Sequence, residues 1–112
     1  MTYEDIKDMI EDTNLPFTYD SFPNNIAPQP PYIVFNFPYR NDFGADNINY
    51  AKIDTINIEL YTSSKDFELE SQIEDHLTSY GLYYTKSETY IRSENLYQIT
   101  YVAQEVITNT EE

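Results

Sequence analysis

Cysteine is absent from the 112-residue sequence, so neither a disulfide framework nor a thiolate metal site can form. Glycine occurs only twice, too rarely for the Gly-rich loops that cradle phosphates. A single histidine, His76, leaves no multi-histidine metal site within one chain. Basic residues are scarce as well: 6 Lys and Arg face 20 Asp and Glu, for a net charge of −14. Holding a phosphate backbone draws on Lys/Arg clusters, so direct nucleic-acid binding is disfavoured, and binding to an anionic membrane for the same reason. No apolar run approaches the roughly 20 residues that span a bilayer. The opening MTYEDIKDMIED is acidic and periodic, unlike the basic start and apolar middle of a signal peptide.

Aromatic residues are abundant. Disordered acidic chains are poor in them, so 12 Tyr and 6 Phe point to a folded chain. The length fits one domain over residues 1–112. Thr2 with Asp5 has the pattern of a capping box, and Tyr3, Ile6, Met9, Ile10 and Thr13 then fall on one helical stripe that ends before Pro16. Residues 20–31, DSFPNNIAPQPP, are dense in Pro and Asn and predict an extended loop. YIVFNF, residues 32–37, reads as a strand that Pro38 ends or marks as an edge. Residues 38–50, PYRNDFGADNINY, carry turn chemistry and predict a long loop that orders on assembly.

Residues 51–61 alternate, with Ile56, Ile58 and Leu60 on one face and Thr55, Asn57, Glu59 and Tyr61 on the other. Ser63 or Ser64 caps a second helix, whose inward stripe is Leu69, Ile73, Leu77 and Tyr80 and whose closing glycine is Gly81. Residues 82–91 and 96–107 read as strands around an RSEN turn, the latter with Tyr97, Ile99, Tyr101 and Ala103 inward. Residues 108–112 read as a frayed tail. The order α-β-β-α-β-β predicts an α+β two-layer sandwich, with helices on one face of a mostly antiparallel or mixed sheet.

No reaction is visible in these residues. Asp42-Phe43-Gly44 spells a kinase magnesium tripeptide, but the companion motifs are missing and the chain is too short. Asp42, Asp46 and Asn47 lack the spacing of a calcium loop and read as turn formers. His76 flanks the apolar stripe of its helix and reads as a partly buried helix residue. The expectation is a protein that is not an enzyme and needs no cofactor or metal. Its candidate functional residues are aromatic and polar groups placed for an interface: Tyr39, Phe43, Asp46, Asn47, Tyr50, Tyr61 and Phe67.

Beyond these local readings, PPYIVFNF, ADNINY, IELYTSSKDFELESQIEDHL and YYTKSETYIRSENLYQITY, in that order, resemble tail terminator (tail-completion) proteins. Those proteins come from long-tailed bacteriophages and prophages of Gram-positive hosts. The resemblance covers roughly residues 28–107 and rests on the order of the segments. Ala45-Asp46-Asn47, Tyr50, Glu59-Leu60-Tyr61, Lys65-Asp66, Glu70, Glu74 and Tyr97-Gln98 carry it. It implies a structural virion protein, made in the host cytoplasm. Such a protein forms a homo-hexameric ring at the head-proximal end of the tail, stops polymerisation of the tail tube and meets a neck or head-completion protein. DNA passes through its lumen without specific binding, and no membrane is involved. An acidic DNA mimic that inhibits a host DNA-binding protein, and a neighbouring neck or head-completion protein, are the alternative readings.

Overall fold

The computed structural model describes residues 1–45 and 48–106, with side chains except at residues 25, 41–52 and 106. Helix α1 (Tyr3–Glu11) starts at the expected capping box: Asp5 N donates to Thr2 Oγ1, and Thr2 N donates to Asp5 Oδ2. Its apolar stripe puts Ile6, Met9 and Ile10 inside. Strands β1 (Phe17–Tyr19), β2 (Tyr32–Ala45) and β3 (Ile48–Thr62) follow, then helix α2 (Phe67–Ser79) and strands β4 (Tyr84–Ile91) and β5 (Leu96–Val106). The strands form one sheet in the order β1-β2-β3-β5-β4. β1 runs parallel to β2, and the other neighbours are antiparallel. The architecture is α+β with a mixed sheet, as expected.

Strand periodicity explains why one face of this sheet is the core. Across β2, β3 and β5 the register aligns Ile33, Leu60 and Ile99 in one row and Phe35, Ile58 and Tyr101 in the next. These residues are buried together with Ile6, Met9 and Ile10 of α1 and Ile73 and Leu77 of α2. Both helices therefore cover the same face. His76 Nε2 donates to Met9 O at 2.8 Å, so the one imidazole ties α2 to α1. Gly81 takes φ +83° just beyond α2, a backbone region where a side chain is strained.

The structure corrects several sequence expectations. Of the two expectations for Pro38, the edge holds and the strand end does not, and the expected long loop over residues 38–50 gives way to strand: β2 runs to Ala45 and pairs with β3 from Ile48. The pairing steps from Asn36↔Asn57 to Tyr39↔Thr55, so β2 carries one extra residue, a bulge that contains Pro38. A bulge at a sheet edge is where a strand tolerates proline. β2 becomes an edge there because β1 pairs only with Ile33 to Phe35. The short strand β1 adds an element to the expected order. The cap of α2 is Asp66, whose side chain accepts from Leu69 N, rather than Ser63 or Ser64. The fourth strand starts at Tyr84, two residues later than expected. The expected fraying of residues 108–112 lies outside the described residues.

Candidate interaction surfaces

Among the described residues, the face of the sheet turned away from the helices has no second layer across its centre. Thr55, Asn57, Glu59 and Tyr61 of β3 point to it, beside Gln98, Thr100 and Val102 of β5 and Thr85, Ser87 and Thr89 of β4. Among the described residues of those three strands, Glu59 is the only acid on this face. Its carboxylate is held by neutral donors: Asn57 Nδ2 donates to Glu59 Oε2 at 2.8 Å, and Tyr61 Oη donates to Glu59 Oε1 at 2.8 Å. Gln98 Nε2 in turn donates to Tyr61 Oη. Burial, with that carboxylate, pushes the Tyr61 phenol well above its usual range, so Tyr61 stays a neutral donor.

One end of this face is covered. The segment between β1 and β2 crosses it, and Phe22 packs edge-on against Tyr32 with ring centroids 5.3 Å apart. Tyr32 and Val34, which point away from the helices, are buried for this reason. Tyr32 also packs against Tyr61 at 5.0 Å.

The helix side is the acidic side. Half of the 20 acidic residues lie on the two helices and their caps, and most of these are solvent-exposed. Among the described residues two acids are instead buried, and the sequence marked neither as buried. Asp54 accepts a hydrogen bond from Tyr3 Oη at 2.6 Å, which pins the start of α1 to β3. Glu70 is 1% exposed under α2. Lys65 Nζ donates to Glu70 Oε2 at 2.6 Å, and Lys86 Nζ lies 2.9 Å from Oε1 in an ion pair that lacks hydrogen-bond alignment. Lys86 also reaches Glu74 at 2.6 Å, Lys65 reaches Glu88, and Tyr101 Oη donates to Glu74. The network fastens α2 to the edge strand β4.

Burial by itself pushes the Glu70 carboxyl up, but the hydrogen bond from Lys65 and the two ammonium charges outweigh it and hold the carboxyl below its usual range. The sign of the pH dependence follows. A carboxyl depressed in the folded state contributes stability above its unfolded value, about 4.3, and that contribution disappears as pH falls through the lower folded value. Unfolding free energy measured by urea titration is expected to fall more steeply between about pH 5 and pH 3 in the wild type than in Glu70→Gln. Equal slopes would contradict this assignment.

The residues expected at interfaces are not brought into one patch. Tyr39 is 60% exposed on the open face beyond the bulge, and Tyr61 is half-buried on the same face nearer the covered end. Phe67 is on the helix side at the start of α2, 70% exposed, with Lys65 Nζ 4.8 Å from its ring centre. The backbones of Phe43 and Tyr50 belong to β2 and β3, but their side chains, and Asp46 and Asn47 altogether, lie outside the described residues. No protein-family model and no curated protein matches the chain.

Among the described residues, two strand edges are open. β4 has only β5 as a neighbour, and six of its eight residues are exposed, which leaves its outer hydrogen-bonding row available. The outer side of β2 pairs with no described strand beyond Phe35, where Phe37 N donates to Tyr19 Oη instead. Among the described residues no group of three His, Asp or Glu is placed to hold a metal ion. No helix among them is long and apolar enough to cross a membrane.

Proposed function

We propose that the protein is a non-enzymatic structural subunit of the tail-terminator kind, a ring that caps a phage tail tube and joins tail to head. The observation that carries this reading is the division of the surface. An acidic helix layer lies on one side, an acid-poor polar sheet face on the other, and an unpaired strand edge on each flank. Two unlike edges suit head-to-tail association, which closes into a ring when the rotation allows. With the helix layer turned to the lumen, its carboxylates repel DNA phosphates and let the duplex slide, whereas basic walls would hold it through counterion release. The alternative, an acidic DNA mimic, draws on the same helix layer but needs no ring. A neighbouring neck protein would share the ring but not the tube cap.

Negative-stain imaging of the protein mixed with the tube protein of the same phage separates these readings. Closed rings seated on tube ends are the expected result. A protein that stays monomeric beside uncapped tubes would overturn the terminator reading. Lysines in place of Glu4, Asp8 and Glu11 are expected to leave ring formation intact and to slow DNA ejection.

A further inference from the structure

At the covered end of the open sheet face lies a groove of about 400 Å³, within the range of ordinary ligand sites. Tyr32, Val34 and Tyr61 form its floor. One wall is the segment around Asp20 and Phe22, and the other is the end of β4 with Ile91 and Glu94 at the β4–β5 turn. Tyr61 Oη is already engaged by Glu59 and Gln98, so what Tyr61 offers the groove is its ring. The rim is acidic on both walls, through the exposed Asp20 and Glu94.

We propose that this groove receives an arginine side chain from a basic partner protein. Aromatic faces flanked by carboxylates attract a cation with an apolar stem: the rings stabilise the charge by cation–π contact and the carboxylates by ion pairing. Arginine fits better than lysine because its planar guanidinium stacks on tyrosine and its fork can meet two carboxylates. Charge selects the source. A chain of net charge −14 repels nucleic acid. A second copy is a poorer donor, because its 112 residues hold only two arginines: Arg40, which reaches Tyr3, and Arg92, which sits in the same β4–β5 turn as Glu94. The inference does not depend on ring formation, because the groove is complete within one chain.

The test uses the full chain, ¹⁵N-labelled, titrated with the peptides Ac-Gly-Arg-Gly-NH2, Ac-Gly-Lys-Gly-NH2 and Ac-Gly-Gln-Gly-NH2 at low salt. The arginine peptide is expected to shift the amides of residues 20–22, 32–34, 61 and 91–94, more strongly than lysine and far more strongly than glutamine. Asp20→Asn with Glu94→Gln, both at exposed positions, is expected to weaken binding about fivefold without changing the melting temperature. Phe22→Ala is expected to weaken it as well. Shifts confined to the acidic helices, equal binding of the glutamine peptide, or unchanged affinity in the Asp20→Asn/Glu94→Gln variant would each overturn the proposal. Self-association that covers the groove in the absence of peptide would also overturn it, in favour of a second copy as the occupant.

Discussion

Replacing Lys65 and Lys86 together with methionine is expected to lower the unfolding free energy by about 3 kcal/mol, the low end of the range for breaking a buried ion pair. The two lysines are themselves partly open to water, but the Glu70 side chain is only 2% exposed, so the variant strands a carboxylate away from solvent. The stranded group is expected to take up a proton, with its pKa moved above the ordinary range by burial. The linkage then changes sign. A carboxyl whose folded-state pKa is raised contributes most below its unfolded value, so the variant loses stability as pH rises from about 4 to about 7. In the wild type the same group acts in the opposite direction. Urea titrations followed by tyrosine fluorescence read both effects, and an unchanged midpoint at pH 7 would show that the network is incidental. Adding Glu70→Met to the pair is expected to recover most of the loss, because an apolar side chain of similar size removes the uncompensated charge.

Leu60→Ala is expected to cost about 2–5 kcal/mol, and Ile73→Ala the same. Leu60 is fully buried in β3, where the register sets it between Ile33 and Ile99, and Ile73 meets that sheet face from α2. Each truncation leaves a cavity that a close-packed neighbourhood fills only in part. That is a large share of the roughly 5–15 kcal/mol of a small domain. Phe67→Ala is the control: at 70% exposure it is expected to leave the melting temperature nearly unchanged. A melting temperature that does not move in Ile73→Ala would contradict the orientation of α2.

Much of the fold is local enough to read from the chain. The stripe Ile6, Met9, Ile10 and the Thr2–Asp5 box specify α1 within a dozen residues, and the alternation Ile56, Ile58, Leu60 specifies the inward face of β3. Tyr97, Ile99, Tyr101 and Ala103 face the core as their period of two requires. The absence of a reaction motif, the acidity and the wealth of tyrosine are likewise properties of the sequence alone. Phe67 was legible as an exposed aromatic because it falls off the stripe of Leu69, Ile73 and Leu77, whereas Tyr39 reads in the sequence as part of a loop and owes its exposure to the open face of a strand.

What only the tertiary structure decided involves partners distant in sequence. β1 has three residues and exists because Phe17, Thr18 and Tyr19 meet Ile33, Val34 and Phe35. Pro38 is accommodated because β1 stops short and the bulge absorbs the extra residue, so its missing N–H breaks no ladder. Tyr32 and Val34 are buried on the face where alternation alone would leave them exposed, since the Phe22 segment folds over them. Glu70 sits in an acidic helix like its solvent-facing neighbours. What separates it is the approach of Lys65 and Lys86 from outside the helix, which makes burial of its charge tolerable. The groove between Asp20 and Glu94 has the same origin: its two walls are far apart along the chain, and only the sheet order brings them to one end of the open face.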